Sequence, residues 1–406
     1  MMLLRTRQRF QKMTQTFKQQ KNIMKYILTG IILLIAQITF AQSFDEQMGK
    51  AGEALQKKEY CNALTIFRTA FKDTTKTGAY EFAYAAVAAT NCSDEQQALI
   101  WLKKSQQKGL GQSTEEIGAI SKDSSFVKLH KYPEWNAFVS SMKQALVDRQ
   151  LLQKKRDDEW IETITANKIK ANPKGKFNQC KSGFALYLSK VDALEVPYLV
   201  YIPRTYDAAK PMRAIVYLHG GVANETNFNF KNSELGNGEP IFSIGDTYNS
   251  IIIYPFGKKD FGWVDQVAAF KNVLTIIDKV KAIYHIDSEN IFLGGMSNGG
   301  TAAFWFASQK PNIFKGFYAL SALPTLKVEP INFKNITQDK PFYSVNAKDD
   351  DVYKFDDVSK IYNDNKANAK GWIFDTLEGG GHGFIYQQNG KEILEKVFKK
   401  IFVKRQ

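Results

Sequence analysis

Residues 290–309 read NIFLGGMSNGGTAAFWFASQ and decide the fold of the second half of the chain. The apolar run NIFL is typical of a buried strand, and TAAFWFAS is typical of a helix. Between them, residues 295–299 form the sequence GMSNG, a GxSxG pattern. Its glycines allow a sharp strand-to-helix turn that lifts the Ser297 hydroxyl clear of the sheet, above the positive end of the helix. The pattern therefore predicts a nucleophilic serine.

Short β-rich runs alternate with helical patterns on both sides of this turn. Strands that are apolar almost throughout and alternate with helices belong to parallel sheets covered on both faces. We therefore predict a mostly parallel α/β sheet, with the first two or three strands antiparallel, which is the layout of an α/β-hydrolase. The predicted strands are 184–191, 198–203, 213–219, 250–256, 290–295, 315–322, 341–347 and 371–377, and the main predicted helices are 266–284, 299–309 and 389–403.

A serine hydroxyl needs a general base, and the chain has only four histidines. His382 lies in the segment GGGHGF after the last predicted strand, where glycines allow a loop to carry the imidazole over Ser297. Its position also fits the chain order Ser, Asp, His of α/β-hydrolases. His130 and His285 are predicted to be surface or structural residues, and His219 belongs to a strand-end His-Gly-Gly sequence.

The acid that orients the histidine is expected after the strand at 341–347, where three aspartates occur in a row. The run NAKDDDV matches G-x-x-D-x-x-V, with Asn346 in place of the glycine, and this alignment selects Asp349. Asp350 is the alternate. The acid fixes the imidazole tautomer and stabilises the imidazolium that forms.

Backbone N–H groups near the predicted nucleophile are expected to form an oxyanion hole. We assign Gly221, from the His-Gly-Gly sequence, and Asn298, which follows the serine, as the two donors. His219 is predicted to brace this loop and not to titrate in catalysis. No HExxH sequence or paired Cys/His spacing indicates a metal site.

Four segments resemble the polyhydroxybutyrate-depolymerase and feruloyl/acetyl-xylan esterase group of α/β-hydrolases over about residues 180–403. They are VPYLVYIPRTYDAAKPMRAIVYLHGG, YPFGKKDFGW, YHIDSENIFLGGMSNGG and GGGHGF. The resemblance implies hydrolysis of a small-molecule or polysaccharide-linked ester through an acyl-enzyme, with no metal or organic cofactor. Trp263, Leu323 and Tyr386 are expected to line the acyl or aromatic pocket. The chain departs from the group at Asn346 and shows no carbohydrate-binding domain.

Two other functions stay open. A peptidase of the prolyl-oligopeptidase kind has the same order of triad residues, although no segment long enough for a propeller domain precedes the catalytic half. A non-enzymatic binding protein would use the helical repeats described below and carry a vestigial hydrolase domain.

The N-terminal residues 1–41 are predicted to be an export signal. They carry seven Lys and Arg residues and no acid, which accounts for half of the net charge of +14. The apolar run at 26–40 is shorter than the roughly 20 residues that span a bilayer and ends at small residues, so we expect a cleaved signal and not a membrane anchor. The mature protein is expected to be periplasmic or secreted. Met24 offers a later start, so residues 1–23 are an over-extended beginning in this interpretation.

Residues 44–140 are predicted to form a helical module. Ala63, Phe67 and Ala70 recur, displaced by 35 residues, as Ala98, Leu102 and Ser105, a period that resembles the tetratricopeptide repeat. The module is expected to act as a spacer or docking surface, and binding of a protein partner is the alternative. Cys61 and Cys92 fall on consecutive antiparallel helices, so they form either a disulfide or two buried thiols.

Residues 141–178 are predicted to be a charged helical connector, and 179–406 the catalytic domain. The basic residues of the connector are followed at once by acids, which is a poor pattern for binding nucleic acid, and no nucleic-acid partner is expected.

Overall fold

The computed structural model describes residues 44–72, 74–172 and 175–402. The predicted export signal lies outside the described residues. The chain divides into two compact units, Met1–Gln153 and Lys154–Gln406. Among the described helices, none is both long enough and apolar enough to cross a membrane.

The first unit is built from helices joined by short turns. They are α1 (44–56), α2 (Tyr60–Ala70), α3 (Ala79–Asn91), α4 (Glu95–Gln107), α5 (Thr114–Lys122), a 3₁₀ helix (Ser124–Leu129) and α6 (Pro133–Ala166), which continues into the second unit. Small side chains allow close approach of α2, α3 and α4, since Ala63, Ala86 and Ala98 are fully buried. Phe67 and Leu102 fill the space between these helices. The resemblance to tetratricopeptide repeats stays a prediction.

A disulfide joins Cys61, in the first turn of α2, to Cys92, at the C-terminal cap of α3. The two Cα atoms are 5.0 Å apart and the cysteines are 31 residues apart in the chain. Of the two alternatives open from the sequence, the structure has the disulfide and not the buried thiols. Cys180 is free and half-buried, and burial raises the pKa of its thiol to about 11.

The second unit is an eight-stranded sheet in the order β1-β2-β4-β3-β5-β6-β7-β8. Its strands are β1 (Gly183–Val191), β2 (Leu194–Ile202), β3 (Met212–Leu218), β4 (Ser250–Pro255), β5 (Ile286–Met296), β6 (Gly316–Leu320), β7 (Phe342–Ala347) and β8 (Trp372–Leu377). Strands β3 to β8 run parallel, and β2 pairs antiparallel with both β1 and β4. The predicted α/β-hydrolase fold is confirmed.

Helices cover both faces of the sheet. They are α7 (Leu235–Gly238), α8 (Ile241–Thr247), α9 (Val267–Ile283), α10 (Asn298–Gln309), α11 (Phe355–Asn365) and α12 (Gly390–Phe402). Helices α9 and α10 contribute Phe270 and Phe304 to the core on one face, and α8 and α12 contribute Ile241 and Phe398 to the core on the other. The sequence interpretation did not identify α11, which is short and buries only Val358 fully.

The end of α6, which falls within the predicted connector 141–178, packs its apolar side chains against the second unit's own core. Ile164 is fully buried in the cluster that also holds α8 and α12. The Trp160 indole Nε1 donates a hydrogen bond of 2.9 Å to the Phe230 carbonyl, and Asp157 accepts one of 2.9 Å from the Ser233 N–H. The last turns of α6 therefore hold the long segment between β3 and α8.

The disulfide predicts that the helical unit loses stability when the bond is removed. Closing a loop of this length lowers the entropy of the unfolded chain, which raises the free energy of unfolding by about 3–4 kcal/mol. We expect the Cys61→Ala/Cys92→Ala variant to unfold at lower urea concentration, measured by circular dichroism at 222 nm. Reductant should likewise lower the urea concentration at which the parent unfolds. Cys180→Ser is the matched control, and reductant should lower its midpoint by the same amount. Equal stability of the double variant and the parent would contradict the prediction.

Candidate active site

Ser297 occupies a strained turn between β5 and α10. Its backbone angles, φ of 54° and ψ of −118°, lie in a region that residues other than glycine rarely adopt. The turn is possible because Gly295 and Gly299 pack against the end of β3, where an added Cβ would lie within 2.0 Å of the Leu218 carbonyl oxygen. The Ser297 N–H is held by the Leu320 carbonyl at 2.8 Å. The serine is thereby presented at the carboxyl edge of the sheet, in the arrangement of a nucleophile elbow.

His382 links the serine to a carboxylate. Its Nε2 lies 2.9 Å from the Ser297 Oγ, and its Nδ1 lies 3.0 and 2.9 Å from the two Asp350 carboxylate oxygens. The Asp350 side chain is fully buried, and its Oδ1 also accepts hydrogen bonds from the backbone N–H groups of Val352 and Tyr353. Because Nδ1–H donates to the carboxylate, Nε2 is free to accept the serine proton.

The predicted acid is corrected from Asp349 to its alternate, Asp350. After β7 the chain turns so that the Asp350 N–H donates to the Ala347 carbonyl, which points Asp350 inward and leaves Asp349 exposed. Asp349 instead accepts hydrogen bonds from the backbone N–H groups of Gly380 and Gly381, at 3.1 and 2.8 Å. The hydrogen bond from the Gly381 N–H, and to a smaller extent that from the Gly380 N–H, lowers the pKa of Asp349. Asp349 therefore holds the glycine turn that precedes His382.

Two residues that the sequence interpretation missed also position His382. The Ser321 hydroxyl donates a hydrogen bond of 2.6 Å to the His382 carbonyl, from a turn after β6 where Ser321 has a φ of 46°. The Tyr353 ring packs edge-on against the imidazole at 5.2 Å, and its hydroxyl accepts a hydrogen bond from the Asn298 side chain. The positive φ and the strand-end position of Ser321 give no recognisable sequence signal.

The His-Gly-Gly segment after β3 lies against the serine. A Cβ added to Gly220 would be 3.0 Å from the Ser297 Cβ, and Gly221 has a φ of 73°. Asn298 is the first residue of α10, so its N–H has no partner four residues earlier in the helix. The predicted oxyanion donors, Gly221 and Asn298, thus belong to the two segments that flank Ser297. Their role stays a prediction.

His219 braces this segment as a neutral imidazole. Its Nε2 accepts a hydrogen bond of 3.0 Å from the Gly257 N–H, so the proton is on Nδ1, which donates to the Gly220 carbonyl at 2.7 Å. Burial lowers the pKa of His219 to about 4, while the contact with the Gly220 carbonyl acts in the opposite direction. The ring stacks on Tyr254 with centroids 5.6 Å apart.

The three residues predicted to line the pocket are in different environments. Trp263 is only 2% exposed, and its indole N–H donates to the His219 carbonyl, so the pocket assignment of Trp263 is corrected to a buried support of the His-Gly-Gly segment. Leu323 is half-buried, and its carbonyl accepts a hydrogen bond from the Thr301 hydroxyl. Tyr386 is exposed and its hydroxyl donates to Glu239 at 3.2 Å.

Within the described residues, no group of three or more histidine, cysteine, aspartate or glutamate side chains is arranged to hold a metal ion. The arrangement of Ser297, His382 and Asp350 can activate a hydroxyl as a nucleophile and return the proton to a leaving group.

Part of the chain is similar in sequence to a peptidase family. A profile of the prolyl oligopeptidase family matches residues 265–329, which include α9, β5 and the Ser297 turn. No curated protein sequence matches the chain.

Solved structures similar to the chain include esterases and a peptidase. A thermostable esterase is 18% identical with a TM-score of 0.42, covering 53% of this chain and 62% of its own length. A ferulic acid esterase is 16% identical, with a TM-score of 0.43 and coverage of 54% and 97%. The acylaminoacyl peptidase of Pyrococcus horikoshii is 16% identical, with a TM-score of 0.43 and coverage of 55% and 41%.

The contacts of His382 predict that the two adjacent aspartates are not equivalent. We expect Asp350→Asn to slow labelling of Ser297 by a fluorophosphonate about 10³–10⁴-fold, because the amide no longer fixes the required imidazole tautomer. Asp349→Asn should slow it less than about tenfold, since that side chain touches only the loop backbone. The opposite order of the two variants would show that the contact with His382 does not decide reactivity.

The buried, neutral His219 predicts a loss of stability at acid pH. Its pKa is near 6.5 in the unfolded chain and about 4 in the fold, so between these values the unfolded state binds more protons. The stabilisation is complete above pH 6.5 and is lost as the pH falls toward 4. We expect the parent to lose about 2–3 kcal/mol more than His219→Gln between pH 7 and 4.5, measured by urea unfolding. The same pH dependence in both proteins would disprove this role.

Proposed function

We propose that this chain is a serine hydrolase that cleaves carboxylic esters through an acyl-enzyme. The observation that carries the proposal is the continuous hydrogen-bonded series from the Ser297 hydroxyl through His382 to the buried carboxylate of Asp350. The series ends at a strained strand-to-helix turn, where the fold presents the hydroxyl at the sheet edge.

The proposed reaction uses each group in the position described above. Ser297 Oγ attacks the ester carbonyl carbon while His382 Nε2 takes the serine proton. The resulting imidazolium is stabilised by Asp350 and gives its proton to the leaving alcohol, which leaves an acyl group on Ser297. Water, activated by the same imidazole, then attacks the acyl group, releases the carboxylic acid and restores the serine.

The oxyanion formed during each attack requires hydrogen-bond donors beside Ser297. We assign the N–H groups of Gly221 and Asn298 to this role. Asn298 also lies at the positive end of α10, which favours negative charge at that point. His219 supports the first donor by fixing the carbonyl of Gly220 in place. These donors act only when charge develops, so they lower the barrier more than they tighten substrate binding.

We propose a carbohydrate-linked acyl, feruloyl or polyester-type ester as the substrate class, and an exported protein. The first proposal is supported by the sequence resemblance to the depolymerase and feruloyl/acetyl-xylan esterase group. The second is supported by the N-terminal segment and by the Cys61–Cys92 disulfide, since disulfides persist in oxidising compartments.

The second candidate is a serine peptidase. It is favoured by the match of the prolyl oligopeptidase profile to residues 265–329. The same serine, histidine and aspartate would serve amide hydrolysis, in which His382 protonates a leaving amine. The two functions therefore differ in the substrate-binding surface and not in the catalytic series.

Hydrolysis of short-chain p-nitrophenyl esters by the purified protein tests the proposal. We expect turnover of p-nitrophenyl acetate and fluorophosphonate labelling, both lost in Ser297→Ala by about 10⁴-fold or more. Ser288→Ala is the matched control, because Ser288 is an exposed serine before the same strand's apolar segment. Equal labelling of parent and Ser297→Ala would overturn the proposal.

Parallel assays with peptide p-nitroanilides separate the two candidates. The ester proposal expects kcat/KM for esters to exceed that for matched amides of the same acyl group. Efficient cleavage of amides with weak cleavage of esters would favour the peptidase.

A further inference from the structure

Glu239 carries a carboxylate that the mechanism above does not use. The residue lies where α7 ends and α8 begins, and its backbone is held on both sides. Its N–H donates to the Leu235 carbonyl at 3.1 Å, and its own carbonyl accepts from the Phe242 N–H at 3.3 Å. The carboxylate oxygen Oε2 is buried. The side chain therefore leaves the backbone from a fixed point and ends in the interior.

Three tyrosine hydroxyls from three separate segments meet at this carboxylate. The hydroxyls of Tyr254, in β4, and Tyr386 each donate a hydrogen bond of 3.2 Å to Oε1. The hydroxyl of Tyr217, in β3, makes a weaker contact. Burial, and then the charge of Glu239, raises the pKa of Tyr217 and of Tyr254 well above that of an ordinary tyrosine. These hydroxyls therefore keep their protons and donate, and an ionised carboxylate only accepts.

Two of the tyrosines belong to the strands that support the predicted oxyanion segment. Tyr217 is two residues before His219, where β3 leads into the His-Gly-Gly sequence. The Tyr254 ring stacks on both Tyr217 and His219, with ring centroids 5.7 and 5.6 Å apart. His219 in turn holds the carbonyl of Gly220, which packs on Ser297. The carboxylate is thus attached to the packing on one side of the nucleophile.

The third tyrosine belongs to the loop of the catalytic histidine. Tyr386 ends the 3₁₀ helix Phe384–Tyr386, which begins two residues after His382. Phe384 is buried and packs on the glycine turn that precedes the histidine, since a Cβ added to Gly380 would lie 2.9 Å from the Phe384 Cβ. A displacement of this helix therefore acts on the chain on both sides of His382.

Two other ionisable side chains of the described residues line the groove that Glu239 borders, and each has another partner. Lys391, on α12, pairs with Glu395 at 3.9 Å. The Tyr201 hydroxyl, from β2, donates to Asp246 at 3.0 Å. The hydroxyls of the three tyrosines are therefore the groups that respond directly to the charge of Glu239.

We propose that Glu239 is a positioning residue, whose ionised carboxylate ties the loop of His382 to the strands that support the oxyanion segment. Hydrogen bonds to an ionised acceptor are roughly twice as strong as those to a neutral one. The ionised form therefore holds the imidazole in line with Ser297 more firmly than the neutral form does. The effect on reaction rate rests on the proposed hydrolase function, whereas the effect on the His382 ring does not.

Ionisation of Glu239 lowers the stability of the fold. Burial raises the pKa of this carboxyl from 4.5 to about 7, against the three tyrosine hydroxyls, which lower it. Between these two values the folded state binds more protons than the unfolded state, so this contribution to stability falls as the pH rises from 4.5 to 7. Above pH 7 the carboxylate gives its strongest hydrogen bonds where it is least favourable for folding. A residue with a purely structural role has the opposite relation between rate and stability.

Fluorophosphonate labelling of Ser297 in the full chain tests the proposal. We expect the parent to label about tenfold faster than Glu239→Gln at pH 8.5, but less than about twofold faster at pH 5.5, where the parent's carboxyl is neutral as well. In urea at pH 8.5, the variant should be at least as stable as the parent. Glu234→Gln is the matched control, because Glu234 is an exposed glutamate in the same segment, and it should label like the parent at both pH values.

Tyr386→Phe tests the connection from Glu239 to the histidine loop. At pH 8.5 we expect this change to slow labelling by a factor similar to that of Glu239→Gln. The double variant should be slower than either single variant by less than about twofold, because both changes remove the same contact. Factors that multiply in the double variant would show that Glu239 does not act through Tyr386.

The ring ¹H–¹⁵N resonances of His382 report its position without any reaction. The chain has four histidines, so histidine-labelled protein gives few signals, and His382→Gln assigns the one of interest. At pH 8.5 we expect these resonances to shift or broaden in Glu239→Gln and to stay unchanged in Glu234→Gln. If the parent does not label but these resonances respond to Glu239, the hydrolase function has failed and the positioning role has not.

Other results would overturn the positioning role. Equal labelling of the parent and Glu239→Gln at pH 8.5 would show that the carboxylate does not affect the catalytic series. The same ratio of labelling rates at pH 5.5 and 8.5 would show that its charge has no part. A loss of labelling matched by a loss of stability at pH 8.5 would assign Glu239 to the fold alone. Unchanged His382 resonances in Glu239→Gln would show that the ring is positioned without it.

Discussion

The close packing of the Ser297 turn against the end of β3 is the constraint on which the site depends. Gly295 and Gly299 leave room for the Leu218 carbonyl, and any side chain at either position would force the two segments apart. This contact holds Ser297 in a conformation that costs backbone energy. It also places the His-Gly-Gly segment, which continues directly from β3, against the serine. Nucleophile and predicted oxyanion donors are therefore fixed by the same packing interaction.

The histidine loop is held by interactions from several separate segments of the chain. Asp350 follows β7 and contacts the imidazole, Ser321 follows β6 and contacts the His382 carbonyl, and Asp349 contacts the preceding glycine turn. The carboxyl ends of neighbouring parallel strands meet at one edge, so residues distant in sequence converge there. This division of roles explains why two adjacent aspartates have different functions. One sets the orientation of the ring, and the other sets the path of the loop.

A group of polar side chains connects the two halves of the site. Tyr254 contacts both His219 and Glu239, and Glu239 also binds Tyr386, which follows the catalytic histidine. Burial raises the pKa of Glu239 to about 7, against the hydrogen bonds from the surrounding tyrosines, which lower it. The low polarity that raises this pKa also strengthens hydrogen bonds made there, so the network supports the geometry of the loop that carries His382.

The sequence by itself determined the class of fold, the order of eight strands along the chain, the nucleophile candidate and its histidine. These follow from local signals, because strand periodicity, the GxSxG turn and the glycine-flanked His382 are each read within a few residues. Only the tertiary structure decided between Asp349 and Asp350, because a one-residue difference in a turn after β7 reverses which carboxylate points inward. Likewise, Glu239, Ser321 and Tyr353 acquire their roles through contacts between distant segments, which no local pattern records.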